Sequence, residues 1–195
     1  MSLRDEAVDL LCSKIGSVMS QSTWLGTLAA KNPCDAWVYQ EIVHANRPDW
    51  IIECGSSHGG GALFLASLCD LVGNGNVISI DVFRRSTPQH PRITWLTGAS
   101  VSQAPEVASR VSGSVMVILD SDHSTANVRA ELEAFSPLVT RRQYLIVEDT
   151  WWNPDVGGPW PAVREFLENH PEFQIDKNCE RYLWTNNPNG FLRLV

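Results

Sequence analysis

The chain has 195 residues, 44% of them apolar, which is enough to build one three-layer core without disulfides or a structural metal. A formal net charge of −7 and the lack of a basic stripe argue against a nucleic-acid partner. Five cysteines with no Cys-x-x-Cys pair, no leader pattern and no apolar run of membrane-spanning length predict a reduced, cytoplasmic protein without a membrane partner.

Apolar positions at Ala7, Val8, Leu10, Leu11, Ile15 and Val18 predict an amphipathic helix over 4–20. Residues 24–33 read as loop. A helix over 35–46 follows and is broken by Arg47-Pro48-Asp49. The first core strand, from Trp50, leads through a glycine-rich turn into a helix over 59–72. Strands over 77–81 and 93–96, a helix over 103–112, a strand over 115–120 and a helix over 124–136 come next. A strand over 143–148 and a helix over 160–169, opened by Trp160-Pro161, complete this alternation. Segments 173–176, 181–185 and 190–195 read as strands joined by Asn/Gly/Pro turns, ending the chain in an antiparallel hairpin. The expected fold is therefore α/β: a three-layer, Rossmann-like, mostly parallel sheet forming a single domain over 1–195. Its N-terminal helical segment, 1–46, is expected to help close a site.

Four of the apolar runs end in an acid: Trp50-Ile-Ile-Glu53, Val77-Ile-Ser-Ile-Asp81, Val115-Met-Val-Ile-Leu-Asp120 and Tyr144-Leu-Ile-Val-Glu148-Asp149. Short runs almost free of charge are typical of strands buried on both faces of a parallel sheet. Separated by helices, they run the same way and bring their acids to the carboxyl rim, where open α/β sheets bind ligands. Gly55, Ser56 and Gly59 form the turn after the first strand, where glycines let backbone approach a ligand; a tight βα turn is the alternative reading. Asp81 stands where such folds grip ribose hydroxyls, or else caps a turn. Gly98-Ala-Ser100 puts a small turn and a hydroxyl beside the same pocket. Asp120, Glu148 and Asp149 would repel one another unless a cation sat among them, and hard oxygen donors suit Mg²⁺. His123, just beyond Asp120, is the expected general base for a substrate hydroxyl, with helix capping as the alternative. Asp122 is left open between ligand and orienting group.

With these residues in place the chain resembles the class I S-adenosylmethionine-dependent O-methyltransferases. More narrowly it resembles the cephalosporin hydroxylase/rhamnosyl O-methyltransferase family. The likeness rests on Trp24-Leu-Gly26, Lys31-Asn-Pro33, Asp35-Ala-Trp37-Val-Tyr39-Gln-Glu41, Ile52 to Gly61, Leu119-Asp-Ser-Asp-His123, Val147-Glu-Asp-Thr150 and Gly158-Pro-Trp160. It is also similar, more distantly, to metal-dependent catechol methyltransferases, which carry a lysine where His123 stands and commonly a hydroxyl residue where Gly61 stands. The resemblance implies S-adenosylmethionine on Glu53, Gly55, Ser56, Gly59, Asp81, Ser100 and Asp120. Glu53 would face the amino group, Asp81 the ribose and Ser100 the adenine. It also implies Mg²⁺ on Asp120, Glu148 and Asp149, with His123 taking the proton from a small-molecule hydroxyl such as that of a sugar or natural-product scaffold. Trp151, Trp152 and Trp160 are expected either at the acceptor or packed against the hairpin or a second subunit, and a homo-oligomer is expected. An NAD-dependent oxidoreductase and a metal-dependent hydrolase are the competing readings. The first lacks the Gly-x-Gly-x-x-Gly spacing, and the second leaves the Gly55–Gly59 turn without a task.

Overall fold

The structure is a computed structural model that describes residues 18–83, 87–182 and 184–195. The predicted helix over 4–20 lies outside the described residues except at its end, where Val18 and Met19 are helical.

Where a loop is expected, Thr23–Trp24 (β1) and Thr27–Leu28 (β2) form a minute hairpin. Its two turn residues, Leu25 and Gly26, both adopt positive φ (48° and 81°), the conformation of a type I′ turn. Helix α1, Pro33–Asn46, starts two residues earlier than expected. Asn32 caps it by accepting from the Cys34 N–H at 2.9 Å, and Pro33 sits at the first helical position, where its missing N–H costs nothing.

A seven-stranded sheet forms the centre, ordered β5-β4-β3-β6-β7-β9-β8. Strands β3 (Trp50–Cys54), β4 (Asn76–Asp81), β5 (Ile93–Thr97), β6 (Val115–Leu119) and β7 (Tyr144–Val147) run parallel. The order reverses between β3 and β6, which is the switch point at which such sheets take ligands. Helices α2 (Gly60–Val72), α3 (Ser100–Arg110), α4 (Thr125–Phe135) and α5 (Pro159–Asn169) cover the faces. The expected α/β architecture is borne out, its antiparallel end included, with one correction near the C-terminus. An antiparallel pair, β8 (Phe173–Ile175) and β9 (Phe191–Leu194), closes the sheet against β7. The strand expected over 181–185 is not formed by its described residues. Asp176 instead accepts from the Asn178 N–H and starts a 3₁₀ turn, Lys177–Glu180, after which the chain runs irregularly to β9.

Strand alternation decides what each face receives. Ile52, Cys54, Val117, Leu119, Leu145 and Val147 pack with α3, α4 and α5 residues such as Val107, Leu132 and Val163. Ile51, Met116, Ile118 and Ile146 pack on the other face with Val38, Tyr39 and Val43 of α1 and Leu65 of α2. Glu53, Asp120 and Glu148 continue the second set by parity, so their side chains leave the sheet on the α1 side.

Asp35, in the first turn of α1, is 2% exposed and its Oδ2 accepts from the Asn186 N–H at 2.9 Å. Burial pushes its carboxyl from 3.8 up to about 7, against the lowering effect of Thr185 and Asn186. Between those values the native state keeps a proton that the unfolded chain has released. Stability therefore falls as pH rises through this window, by an amount on the order of a few kcal/mol. Asp35→Asn is expected to remove that slope. Urea unfolding at about pH 4 and about pH 7.5 should show the variant gaining on the wild type at the higher pH. Parallel pH dependence of the two proteins would refute the assignment.

Candidate functional site

The carboxyl tips of the central strands are in register. The Gly55 N–H donates to the Ile80 carbonyl, the Asp120 N–H to the Cys54 carbonyl at 2.8 Å and the Glu148 N–H to the Leu119 carbonyl at 2.9 Å. The ladder thus continues one residue beyond each strand and sets the acid-bearing tips side by side. Gly55 has φ +101°, and a Cβ there would lie 1.8 Å from the Asp120 carbonyl oxygen. Only glycine permits this approach at the switch point. Above it opens a cavity of about 630 Å³, lined among others by Glu53, Ser56, Asp81, Ser100, Asp120 and Asp149. That volume lies in the range of small-molecule sites.

On the side of β3 and β4, Glu53 is 1% exposed and accepts from the Ser79 hydroxyl at 2.5 Å, which in turn lies 2.7 Å from the Ser56 hydroxyl. Burial raises the Glu53 carboxyl to about 7, with the attraction of Lys31 and the Ser79 hydrogen bond opposing. Asp81 accepts from the Ser57 N–H at 2.8 Å and the Phe83 N–H at 3.0 Å. It is therefore a turn cap and a pocket wall at once, and it ties the glycine turn to the tip of β4. Gly59 caps α2 with φ +84°. Ser100 lines the cavity, but its hydroxyl donates to Glu131, a fully buried acid of α4 that also accepts from Ser121 at 2.6 Å. Glu131 joins the loops after β5 and β6 beneath the pocket, and nothing in its sequence position signals this.

On the acidic side, the three expected metal ligands do not converge on one point. Asp120, Asp149 and His123 each offer one ligand atom, all within 4.8 Å of one another, the grouping among the described residues that could hold a metal ion. His123 Nε2 stands 3.2 Å from Asp149 and 3.9 Å from Asp120. Glu148 is adjacent but faces α1: its Oε1 accepts from Lys31 Nζ at 2.5 Å and the Tyr39 hydroxyl at 2.8 Å. Asp120 leaves the sheet on that face too, and what sets Glu148 apart is that the Tyr39 hydroxyl of α1 and Lys31 both hold its Oε1. Lys31 Nζ also donates to Asp120 Oδ2 at 2.5 Å. The cation that mutual repulsion demanded is, in part, an ammonium. Burial would lower the Lys31 pKa, but Asp120, Glu148 and Glu53 outweigh it and hold the group well above the usual lysine range. Asp120 is itself pushed well up by burial and by Glu148, with Lys31 opposing. One lysine among Glu53, Asp120, Glu148 and Asp149 leaves the site short of positive charge, so its donor set fits a hard divalent cation.

Asp149 explains how His123 is aimed. Its backbone is left-handed (φ 55°), a strained conformation for a non-glycine residue, and Asn187 Oδ1 accepts from its N–H at 3.0 Å. Its Oδ1 accepts from Trp151 Nε1 at 3.0 Å and Asn186 Nδ2 at 2.9 Å, leaving Oδ2 for His123. Asp122, in contrast, accepts from the Ser124 N–H at 2.9 Å and caps the turn into α4. Trp151 packs edge-on against Trp184, and the Trp152 ring lies 6.4 Å from that of His123. Lys31, Tyr39, Asn186 and Asn187 were not foreseen as parts of the site. They come from a pre-helix loop, a helix face and an irregular tail that carry no strand-tip pattern.

Known proteins resemble this chain in sequence and fold. Residues 16–195 match the family described as Rhamnosyl O-methyltransferase/CmcI. A rhamnosyl O-methyltransferase of Mycobacterium leprae (strain TN) is 34% identical over 194 residues, covering 90% of this chain and 84% of that protein. A structure of CmcI with Mg and SAM superposes with a TM-score of 0.71 at 22% identity, over 90% of this chain and 77% of that one. MycE methyltransferase with Mg, SAH and mycinamycin VI gives a TM-score of 0.51 at 25% identity, over 62% of this chain and 36% of that one. The fold expected of the class I methyltransferases is thereby borne out. The chain belongs to the Rhamnosyl O-methyltransferase/CmcI family and is an S-adenosylmethionine-dependent O-methyltransferase.

Proposed function

We propose that this enzyme methylates a hydroxyl of a small molecule, a sugar or a natural-product scaffold, with the help of a divalent cation. The observation that carries this reading is the in-register set of strand tips, which puts nucleotide-type groups and an under-neutralised acid cluster on one cavity. Glu53, Gly55, Ser56, Gly59, Asp81 and Ser100 line or shape the donor side, with Asp120 at its boundary. Asp120 and Asp149, joined by Glu148 once its carboxylate is free, would hold the cation. Bound there, S-adenosylmethionine supplies an electrophilic methyl group, and Mg²⁺ supplies charge that acidifies and orients the acceptor hydroxyl.

The remaining work falls to the chain's own side chains. With Nε2 turned toward Asp149, His123 has Nδ1 as the ring atom to accept the acceptor's proton, and Asp149 stabilises the imidazolium formed. Trp152, beside His123 and 43% exposed, offers a flat apolar wall to a ring-shaped acceptor. Ala29, Ala30 and Lys31 line the cavity from the segment before α1, in keeping with closure by the N-terminal 1–46 region. Exposed Val82 and Phe83 follow the tip of β4 and suit cover by a second copy in a homo-oligomer. No helix among the described residues is long and apolar enough to cross a membrane.

The reading is tested by incubating the enzyme with methyl-labelled S-adenosylmethionine and a panel of hydroxylated glycosides and scaffolds. Mass spectrometry should find a product carrying one added methyl group on oxygen, with its yield collapsing in chelator. Methylation on nitrogen or carbon, or full activity in chelator, would contradict it.

A further inference from the structure

Lys31 is held in a way that ordinary ion pairing does not require. The Ser22 hydroxyl accepts from its N–H at 3.1 Å and lies 3.2 Å from its carbonyl, with the Met19 carbonyl a nearer acceptor at 2.9 Å, and the next residue, Asn32, caps α1. The backbone is thus pinned while the side chain runs inward to a site where it is 11% exposed. Gly61 makes room for it: a Cβ there would lie 3.2 Å from Lys31 Cε and 2.5 Å from Glu53 Oε1. The absence of a side chain at Gly61 is what lets the lysine stem and the Glu53 carboxylate lie together.

The ammonium ends 2.5 Å from both Asp120 Oδ2 and Glu148 Oε1. A Mg²⁺ ion takes oxygens at roughly 2.0–2.1 Å, so an ion ligated by either atom would bring two more positive charges close to the ammonium and repel it. We infer that Lys31 is a resident cation that competes with the divalent ion. It holds Asp120 and Glu148 together in the metal-free enzyme and gives them up when the ion arrives, with its ammonium moving to the adjacent Glu53. This rests on the metal-assisted reading above and adds a positioning residue to it. Only a short side-chain swing is involved, because the Ser22 clamp and the α1 cap keep the backbone in place. The device keeps a dense set of carboxylates folded without metal, at the expense of metal affinity.

The test is calorimetric titration of Mg²⁺ into wild type, Lys31→Met and Lys31→Arg, each as the full chain. Removing the competitor should tighten Mg²⁺ binding by about tenfold or more in Lys31→Met. Its melting temperature in chelator should fall below wild type and recover with Mg²⁺. Lys31→Arg, which keeps the charge, should stay close to wild type in both respects. If wild type binds Mg²⁺ and Lys31→Met binds it no better, the competition is overturned while the metal site stands. If neither binds, both fail. Should Lys31→Met not fold, ¹⁵N-lysine spectra of wild type give the answer, with Lys31→Arg supplying the assignment. The Lys31 ammonium signal should shift on saturation with Mg²⁺, and an unmoved signal overturns the proposal.

Discussion

Asp120→Ala is expected to lower turnover by about 10³-fold or more while changing affinity for S-adenosylhomocysteine only slightly. Asp120 sits at the switch point, grouped with Asp149 and His123 while its Oδ2 accepts from Lys31, so in the proposed reading two cationic functions meet on one carboxylate. Its removal takes away the shared ligand of the acid cluster. The contacts proposed for the donor, with the turn after β3 and with the tip of β4, would be left in place. Steady-state kinetics with calorimetric titration of S-adenosylhomocysteine separates the two effects. Unchanged turnover would reject the cation's role, and a large loss of cofactor affinity would move Asp120 into the donor subsite.

His123→Ala should cost between about 10² and 10⁴ in kcat, the range for losing a positioned general base. Michaelis constants for donor and acceptor should change far less. The limb of the pH–rate profile that reports the base should disappear with it. Asp149→Asn serves as a companion variant, since it keeps the shape and the contacts from Trp151 and Asn186 but weakens the partner that orients the ring. A His123→Ala enzyme with near-normal turnover and an unaltered pH profile would show that another group takes the proton.

The core strands were readable because their Val- and Ile-rich runs carry almost no charge, and their shared direction already implied that the acids meet at one rim. Boundaries moved where capping chemistry, not periodicity, sets them, as at Asn32-Pro33 and Ser124. The segment 181–185 misled because Trp184 is buried, as a strand residue would be, yet it donates to Asn186 from an irregular chain. Its neighbours Asn186 and Asn187 are pulled inward to orient Asp149. The site was legible as a set of residue types but not as a geometry. That Glu148 would turn toward α1 follows from its parity with Ile146, but what waits on that face depends on where α1 packs. Lys31 is the clearest case: a single lysine ahead of a helix cap looks solvated in sequence, and only the tertiary fold brings it to Asp120, a residue 89 positions away.

Anomalous diffraction from crystals grown with Mn²⁺ and S-adenosylhomocysteine tests the core of this account at the atoms concerned. A single strong peak within coordination distance of Asp120 and Asp149, beside a ligand whose ribose meets Asp81, is the expected density. A cavity holding the nucleoside with no metal peak among these carboxylates, or a peak confined to the protein's outer surface, would contradict it.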